Sequence, residues 1–461
     1  MVGASLPRIV VAGTHSGVGK TTVASGLMAT LRAKGLRVAP FKVGPDFIDP
    51  SYHALATGRP GRNLDAYLSG PGLVAPLFAH GSRGADVAII EGVMGLFDGK
   101  GGASEYASTA HVAKLLGAPV LLVIDASAMA RSAAAIVHGY ATFDEELSLA
   151  GMILNRVGSA AHEKMLREAI VPLDIPILGV LRRDAAIQTP DRHLGLVPVA
   201  ERRDEARIAL NVVGEKISRS CDLAAILRLA RRAGPLRAEP WSPEAPEPGP
   251  PVRVAVAGGP SFSFLYEENL ELLRGAGAEL SFFDPASDGD LPEATGALYL
   301  GGGFPETYAG ALAANEPLKE RVRRFAAEGR PVVAECGGLL YLVRELDGHA
   351  MCGVLDARAR MTDRLTLGYR EALALSGSPL VEAGTVVRGH EFHYSAVEPG
   401  AGERPAWEFA GRGKEGFVRG GVHASYLHTH WAATPEVPRR LVRGAARSAA
   451  RSATRSAEVG A

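Results

Sequence analysis

A cysteine stands at a strand-to-helix corner in the segment VVAECGGLLYL, residues 332–342. The β-branched run before Cys336 predicts a strand, and the apolar spacing after the two glycines predicts a helix. A thiol on such a turn is held where it can react, and a helix amino terminus would lower its pKa. We therefore predict that Cys336 is a nucleophile. Cys221 and Cys352 lack this setting and are expected to be structural.

A nucleophilic cysteine also needs a base and an oxyanion hole. The segment YLGGGFPE ends an earlier strand, so the backbone N–H groups of Gly302 and Gly303, with that of Gly337, could form the hole. The segment HASYLHTHW offers His428 and His430 as the base. Their spacing would also suit a metal, but no acidic or cysteine cluster nearby completes such a site. We predict a Cys336–His428 pair, with His430 as the alternative base.

A second site follows the first strand, in the segment GTHSGVGKTT. Glycines permit a tight loop whose N–H groups bind phosphate, the lysine reaches the β- and γ-phosphates, and a threonine hydroxyl suits Mg²⁺. The loop departs from the strict GxxxxGK[ST] pattern, because Thr14 stands where glycine is usual and Gly13 comes one residue early. The predicted nucleotide-binding residues are Gly13, Thr14, Gly17, Gly19, Lys20, Thr21 and Thr22.

Acidic residues follow two further strands, in the segments FKVGPDFIDP and IIEGVMGLFDG. Ligands of an open parallel sheet bind beyond the carboxyl ends of its strands, so these loops should share one crevice with the phosphate loop. We assign Lys42, Asp46 and Asp98 to nucleotide binding. Carboxylates beside a triphosphate repel it unless a cation lies between them, so Thr21, Asp46 and Glu91 are predicted to bind Mg²⁺. Taken singly, each acid could equally cap a helix or face solvent.

The elements that must position these residues alternate between short apolar strands and helices, which predicts a doubly wound parallel sheet of the α/β class. A stretch with seven prolines interrupts the alternation, and a second α/β unit follows it. The predicted divisions are an ATP-binding P-loop domain at 1–232, a linker at 233–251, a second α/β domain with the Cys336 site at 252–438 and a flexible basic tail at 439–461.

Composition excludes several classes of protein. The 461 residues carry 50 basic and 50 acidic side chains, so net charge favours neither nucleic acid nor a membrane surface as a partner. No apolar run approaches the ~18 residues of a membrane span. Three cysteines without CxxC spacing indicate a reducing compartment, and we expect a cytoplasmic protein.

Together, GGGFPE, AECGG and ASYLHTHW resemble a class I (Triad) glutamine amidotransferase domain of the cobyrinic and cobyric acid synthase type. Many such domains carry a glutamate two residues after the histidine, where this chain has His430. The resemblance implies that Cys336 forms a thioester with glutamine and releases ammonia. The amino-terminal loop is similar to the dethiobiotin-synthetase-like branch of P-loop proteins.

The resemblance extends over nearly the whole chain. PFKVGPDFIDPSYHALATGRPGRNLD, EGVMGLFDG, TPDRHLGLVP and RGHEFHYS resemble blocks of the a,c-diamide synthases of cobalamin biosynthesis. That family implies ATP and Mg²⁺ as cofactors, and amidation of the a and c carboxylates of a corrin acid through an acyl phosphate. The expected partners are glutamine and a corrin polycarboxylate, with a homodimer left open. Candidate contacts to the corrin carboxylates are Arg192, His193, Arg388, His390 and His393.

Alternatives remain at this point. The corrin acid is expected to be metal-free hydrogenobyrinate, because the Ala/Arg-rich chain resembles enzymes of aerobic high-GC bacteria, but cobalt-bearing cobyrinate is the other possibility. Another tetrapyrrole, such as nickel-sirohydrochlorin, would suit the same chemistry. A P-loop switch ATPase would share the first half, but it would have no use for a Cys–His glutaminase half.

Overall fold

The computed structural model describes residues 6–183, 191–192, 195–196, 198–243 and 251–459, with backbone alone at 191–192, 195–196 and 449–459. The chain divides into two compact units, residues 1–242 and 243–461. Among the described residues, no helix combines the length and the apolar character that crossing a membrane requires.

The first unit is built on a seven-stranded sheet in the order β3-β2-β4-β1-β5-β6-β7. Neighbouring strands are parallel, and β1, β2 and β4 are buried along their whole length, as their continuous apolar runs predict. The predicted doubly wound sheet is therefore confirmed. The strands are β1 (Arg8–Gly13), β2 (Val38–Val43), β3 (Arg62–Leu64), β4 (Val87–Glu91), β5 (Val120–Asp125), β6 (Leu149–Val157) and β7 (Ile177–Arg182), with a separate two-stranded pair, β8 (Asp191–Arg192) and β9 (Gly195–Leu196).

Helices connect the parallel strands and cover the sheet. Several begin at a side-chain cap, such as Ser108, whose hydroxyl accepts a hydrogen bond from the His111 N–H. The helices are α1 (Lys20–Ala33), α2 (Ile48–Thr57), α3 (Pro71–Gly81), α4 (Thr109–Leu116), α5 (Ser132–Thr142), α6 (Ala160–Ile170), α7 (Arg203–Ser220) and α8 (Leu223–Ala230). Because β2, β4 and β1 are adjacent, the loops that follow them meet at one edge, as expected.

The second unit is also α/β, with a six-stranded sheet in the order β11-β10-β12-β13-β21-β20, parallel except for β20. Its strands are β10 (Val252–Ala257), β11 (Ala278–Phe283), β12 (Thr295–Leu300), β13 (Val332–Glu335), β20 (Phe417–Arg419) and β21 (Val422–Ser425). Its helices are α9 (Glu267–Gly275), α10 (Ala309–Ala314), α11 (Glu316–Ala327), α12 (Gly337–Leu342) and α13 (Glu436–Val459).

The second unit also contains a mainly antiparallel sheet, whose strands follow α12 in the chain. A long hairpin, β16 (Arg358–Ala374) and β17 (Val386–Glu398), forms its centre. The smaller strands are β14 (Glu345–Leu346), β15 (His349–Ala350), β18 (Trp407–Phe409), β19 (Gly413–Glu415) and β22 (His428–Thr429). The chain passes from the first sheet at β21 to the second at β22, so His428 lies where the two sheets meet.

The carboxyl-terminal segment differs from the flexible tail that we expected. It is helical from Glu436 to Val459, and its first turns bury Val437, Leu441 and Ala445. These residues recur every fourth position and so form one apolar stripe, which packs against β10 and β12. The stripe was not evident from the sequence, because the segment is rich in Arg, Ala and Ser and its apolar residues are small or widely spaced.

Candidate active sites

The phosphate loop joins β1 to α1. Gly17 and Gly19 have φ of 81° and 101°, in the left-handed region that favours glycine. A Cβ on Gly19 would lie 2.3 Å from Nδ2 of Asn155, which donates a hydrogen bond to the Val18 carbonyl at 2.8 Å. Asn155, near the end of β6, therefore packs against the phosphate loop and stabilises its conformation.

Lys20 begins α1 and folds back over the loop. Its Nζ donates to the carbonyl oxygens of His15 and Met94, at 3.0 and 2.6 Å. Burial, helped by the nearby positive charge of Lys42, lowers the pKa of Lys20 to about 8. These carbonyls hold the ammonium group beside the loop's N–H groups, where a phosphate would bind.

The other predicted loop residues lie around this position. Gly13 ends β1, and a Cβ there would come within 2.5 Å of the Val18 side chain. The Thr14 carbonyl accepts a hydrogen bond from the Tyr140 hydroxyl at 2.6 Å, which fixes the start of the loop. Thr22 is partly buried in the first turn of α1.

Glu91 is the centre of the polar network at this edge of the sheet. Fully buried at the end of β4, it accepts hydrogen bonds from Thr21 Oγ1 at 2.6 Å, Lys42 Nζ at 2.8 Å and His53 Nε2 at 2.6 Å. Burial alone would raise the pKa of Glu91, but Lys42 and His53 hold it below its usual range. Glu91 is therefore an ionised carboxylate in contact with the P-loop threonine.

Lys42 joins a second carboxylate to this network. Its Nζ lies 2.5 Å from Asp49 Oδ2, and the register of β2 and β4 sets Lys42 directly opposite Glu91. Burial would lower the pKa of Lys42, yet Asp49 and Glu91 together raise it. Burial and the charge of Glu91 raise the pKa of Asp49 well above its usual range, despite Lys42.

Asp46 and Asp98 each use one carboxylate oxygen to hold a turn of the backbone. Oδ1 of Asp46 accepts from the N–H groups of Ile48 and Asp49 at 2.9 and 2.8 Å, so this oxygen caps α2. Oδ2 of Asp98 accepts from the Gly95 N–H at 2.8 Å and closes a turn. Asp49, which we had not assigned to the site, is the acid of this loop that pairs with Lys42.

Cys336 lies at the corner between β13 and α12 with φ of 48° and ψ of −100°, a conformation that L-residues rarely adopt. Its N–H donates to the Ser425 carbonyl at 2.7 Å, which ties the corner to β21. A Cβ on Gly338 would lie 2.2 Å from the Leu300 carbonyl oxygen, so only glycine lets α12 approach β12 this closely. The strained corner has the geometry of a nucleophile elbow.

The environment of the thiol contradicts our expectation of a lowered pKa. Cys336 is 4% exposed, and burial, together with the negative charge of Glu306, raises its pKa well above the usual range. A hydrogen bond from the Gly337 N–H opposes this effect without reversing it. The helix-terminus argument is wrong here because desolvation outweighs a helix of six residues. The Cys336 side chain is therefore a neutral thiol.

The three glycines assigned to the oxyanion hole divide into two roles. The Gly302 N–H already donates to the Phe264 carbonyl at 3.2 Å, so the expectation that it serves the hole conflicts with its hydrogen bond in the structure. A Cβ on Gly302 would lie only 2.4 Å from Cε1 of His428, so this residue makes room for the histidine. A Cβ on Gly337 would lie 3.0 Å from the Gly303 nitrogen, which brings these two backbones together beside Cys336.

His428 is buried between Gly302 and a second histidine. The ring of His390 stacks on it, with centroids 4.9 Å apart and planes 14° apart, and Nε2 of His390 lies 2.9 Å from the Tyr266 hydroxyl. Burial, with a smaller effect of His390, lowers the pKa of His428 well below its usual range. A neutral imidazole can accept the proton of a neutral thiol during attack.

His430 points away from this pair. Its Nε2 lies 3.5 Å from Oε2 of Glu268, and its ring packs against Tyr266 with centroids 4.9 Å apart. Gly302 contacts Gly337, which directly follows Cys336, and it also contacts His428. The geometry therefore favours His428 over His430 as the base.

Glu335, next to Cys336, connects this corner to the strand that carries His428. Its Oε1 accepts from Thr429 Oγ1 at 2.6 Å and Thr429 N at 3.1 Å, and its Oε2 accepts from the Tyr299 hydroxyl at 3.1 Å. Thr429 directly follows His428, so this carboxyl fixes the histidine strand to the cysteine strand. Sequence reasoning missed Glu335, because nothing in AECGG shows where its side chain points.

Comparison with known proteins agrees with both sites. A family described as a CobQ/CobB/MinD/ParA nucleotide binding domain matches residues 9–197, and a CobB/CobQ-like glutamine amidotransferase domain matches residues 253–436. A Streptomyces coelicolor protein named hydrogenobyrinate a,c-diamide synthase is 56% identical, over 95% of this chain and 98% of its own. The chain belongs to the a,c-diamide synthase family.

Other members of the a,c-diamide synthase family match over similar lengths. A Mycobacterium tuberculosis protein named hydrogenobyrinate a,c-diamide synthase is 51% identical, over 95% of this chain and 98% of its own. A Gloeobacter violaceus protein named cobyrinate a,c-diamide synthase is 47% identical, over 94% of this chain and 96% of its own. The resemblance inferred from the motifs is thereby confirmed.

The residues expected to contact the corrin in this family member lie in several settings. Arg388 is exposed, 4.0 Å from Glu371. His390 is 3% exposed, and its ring stacks on that of His428. The Nδ1–H of His393 donates to the Ser395 carbonyl at 2.8 Å. His193 and the side chain of Arg192 lie outside the described residues.

Proposed function

We propose that this chain catalyses ATP- and glutamine-dependent amidation of the a and c carboxylates of a corrin acid, with hydrogenobyrinate as the substrate. The observation that carries the proposal is the presence of a P-loop site and a Cys–His elbow in one chain, 56% identical to a protein named hydrogenobyrinate a,c-diamide synthase. Both activities are needed, because a carboxylate must be activated and ammonia supplied.

In the glutaminase unit, the Cys336 thiol gives its proton to His428 as the sulfur attacks the amide carbon of glutamine. The N–H groups of Gly303 and Gly337 stabilise the oxyanion. His428 returns the proton to the departing ammonia, which leaves a γ-glutamyl thioester. Water then attacks the thioester, with His428 as the base, and glutamate is released with the thiol restored.

In the P-loop unit, the terminal phosphoryl group of ATP passes to a corrin carboxylate oxygen, which yields ADP and an acyl phosphate. Ammonia attacks the acyl carbon, phosphate leaves, and an amide remains. Lys20 and the N–H groups of the loop bind the phosphates. Two rounds convert the a and c groups at the expense of two ATP and two glutamine molecules.

A Mg²⁺ ion fits the residues present, because the Thr21 hydroxyl and the Glu91 carboxylate are oxygen donors 2.6 Å apart beside the phosphate loop. These two side chains would hold it, and when bound it would neutralise phosphate charge. Within the described residues, no group of three or more His, Cys, Asp and Glu side chains is arranged to bind a metal ion by itself. Lys42 and His53 would keep Glu91 ionised and in place.

The choice of hydrogenobyrinate over cobyrinate rests on similarity. Relatives at 50–56% identity are named hydrogenobyrinate a,c-diamide synthase, while those named cobyrinate a,c-diamide synthase are 44–47% identical. Arg192, His193 and Arg388 remain our candidates for the corrin carboxylates, since guanidinium groups pair with them well. All three cysteines are free, which supports a cytoplasmic location.

The test uses the purified chain with Mg-ATP, and offers hydrogenobyrinate and cobyrinate separately with glutamine or with ammonia. Mass spectrometry counts the carboxylates converted to amides. We expect two amidations of hydrogenobyrinate, Cys336→Ala active with ammonia alone, and Cys221→Ala active with both nitrogen donors as the matched control. ATP hydrolysis without amidation of either corrin would refute the proposal.

A further inference from the structure

A row of aromatic rings leads from the start of α9 to His428 in the glutaminase unit. The ring of His430 packs against Tyr266, with centroids 4.9 Å apart, and Tyr266 packs edge-on against His390, with centroids 6.5 Å apart. The ring of His390 stacks in turn on that of His428, with centroids 4.9 Å apart. All four side chains are buried, so the row is part of the interior around the proposed base.

The pairing of two strands fixes the position of His390 relative to His428. β17 and β22 are antiparallel, and His390 lies directly opposite His428 in their register. Side chains in this relation project from the same face of a sheet, with Cβ atoms about 5 Å apart. The planes of the two rings are only 14° apart. Rotation of a histidine ring about its Cβ–Cγ bond is only loosely restricted by the side chain itself, so a flat neighbour limits it.

Tyr266 fixes the orientation of His390. Its hydroxyl oxygen lies 2.9 Å from Nε2 of His390, which is hydrogen-bonding distance. Burial, with a smaller effect of the Arg370 charge, lowers the pKa of His390 to about 3, so this imidazole is neutral. A neutral imidazole has one ring nitrogen that accepts a hydrogen bond, and the Tyr266 hydroxyl can donate to it. Because Tyr266 directly precedes α9, the contact joins β17 to this helix.

Other contacts enclose His428 and hold His430 apart from it. A Cβ on Gly302 would lie 2.4 Å from Cε1 of His428, so the backbone there packs closely against the ring. Nε2 of His430, by contrast, lies 3.5 Å from Oε2 of Glu268. The ring of His428 therefore lies between a glycine backbone and the flat face of His390.

We propose that His390, held by Tyr266, is a positioning residue that keeps the ring of His428 in the plane from which it accepts the proton of Cys336. This assignment rests on the proposed roles of Cys336 and His428. A base that activates a nucleophile is itself oriented by a third group, and here that group is a stacked neutral ring. Proton transfer requires the accepting nitrogen to point at the thiol, so a misdirected ring lowers the rate of attack.

The geometry fits this role better than it fits simple packing. A side chain that only fills space between β17 and β22 needs no polar partner, and leucine would occupy a similar volume. A buried imidazole instead carries two ring nitrogens that lose their contact with water, which is unfavourable unless they are hydrogen-bonded. The near-parallel planes and the contact with Tyr266 both specify an orientation, which is what the proposed base requires.

The test compares two substitutions of His390 that differ in shape. His390→Phe keeps a flat ring but loses the contact with the Tyr266 hydroxyl, whereas His390→Leu removes the flat ring. Tyr266→Phe removes only the hydroxyl, and the exposed His349 provides His349→Leu as the matched control. Glutamate release from glutamine gives kcat and KM for each full-length variant, and thermal unfolding checks that each variant is folded.

We expect His390→Leu to lower kcat for glutamate release roughly tenfold to a hundredfold and to leave KM within about twofold, since orientation of the base acts in the transition state. His390→Phe should recover most of this loss, and Tyr266→Phe should lower kcat by roughly threefold to tenfold. His349→Leu should match the unsubstituted protein. Equal losses for His390→Phe and His390→Leu, a change confined to KM, or full activity of His390→Leu would overturn the proposal.

His428→Asn separates this proposal from the one on which it rests. Glutamate release at the unsubstituted rate in His428→Asn would refute His428 as the base. An inactive His428→Asn with a fully active His390→Leu would refute only the role of His390. Should His390→Leu fail to fold, Tyr266→Phe decides, because an unchanged kcat there contradicts the proposal and a lower kcat at constant KM supports it.

Discussion

Thr429→Val tests whether Glu335 holds the two catalytic residues in register. Thr429 Oγ1 donates to Oε1 of Glu335 at 2.6 Å and accepts from Trp431 Nε1 at 2.8 Å. Valine keeps the shape and the backbone N–H of threonine, but it lacks the hydroxyl. The substitution therefore removes one of the three hydrogen bonds that Glu335 accepts in the structure.

The magnitude follows from the pKa of the buried carboxyl. Burial raises the pKa of Glu335 from 4.5 to about 7, although bonds from Thr429 and Tyr299 favour its charged form. At about 1.4 kcal/mol per pKa unit, ionised Glu335 costs about 3 kcal/mol relative to the unfolded chain. Since the folded pKa is the higher one, this group's contribution to stability is complete below pH 4.5 and is lost as pH rises through about 7.

Removal of the hydroxyl raises the pKa of Glu335 further, because the charged form loses a donor. We expect Thr429→Val to cost about 1 kcal/mol more at about pH 8 than at about pH 5, because protonation of Glu335 limits the difference to about 1.4 kcal/mol for each pH unit above its native pKa of about 7. The lost acceptor of Trp431 adds about 1 kcal/mol at both pH values. Glutamine-driven amidation should fall as His428 shifts, whereas ammonia-driven amidation should be retained.

Scanning calorimetry at the two pH values measures the stability of the glutaminase unit. Amidation assays with glutamine and with ammonia separate the activity of this unit from that of the P-loop unit. Thr429→Ser is the matched control, since it keeps the hydroxyl and should show a loss that does not depend on pH. Equal losses for Thr429→Val at both pH values would refute the argument that an ionising Glu335 forms this link.

Three further substitutions test the other contacts. Lys20→Met should abolish amidation with either nitrogen donor, because the phosphates lose their buried ammonium partner, and ATP binding measured by calorimetry should be lost with it. Gly302→Ala places a methyl group 2.4 Å from Cε1 of His428, so glutamine-driven amidation should fall roughly a hundredfold while ammonia-driven amidation persists. Glu91→Gln leaves Lys42 with one carboxylate, and thermal unfolding should show a loss of about 3 kcal/mol and weaker protection by Mg-ATP. A matched Asp86→Asn, which removes a solvent-exposed ion pair, should cost little, and an equal loss there would contradict the buried network.

Local patterns predicted the parts of the fold that depend on local rules. The strands of the P-loop unit are continuous apolar runs, and the loops after β1, β2 and β4 meet because parallel strands end at one edge. The corner at Cys336 was recognisable because a small-residue turn between a strand and a helix has few alternative conformations. These features depend on short segments whose neighbours in sequence are also their neighbours in space.

The missed contacts depend on register between distant segments. Asp49, which was not assigned to the site, pairs with Lys42 while Asp46 caps α2, and the sequence does not distinguish the roles of these two acids three residues apart. Arg370 meets Glu391 diagonally across the β16–β17 hairpin, where Gly368 is the residue directly opposite Glu391, and the sequence does not show which residues of these two strands pair. The expected low pKa of Cys336 was wrong because desolvation by the whole unit exceeds the local helix effect.

The position of His428 explains why so many of these contacts converge. It lies in a strand of two residues that carries the chain from one sheet to the other. Thr429 fixes this strand to Glu335 in the first sheet, while its pairing with Gly389 and His390 fixes it to β17 in the second. Cys336 follows β13 of the first sheet and His428 lies in β22 of the second, so the distance between the two residues is set by how these sheets join. A substitution that weakens the contact of Thr429 with Glu335, or the pairing of β22 with β17, should lower the rate of glutamine hydrolysis more than it lowers the stability of the unit.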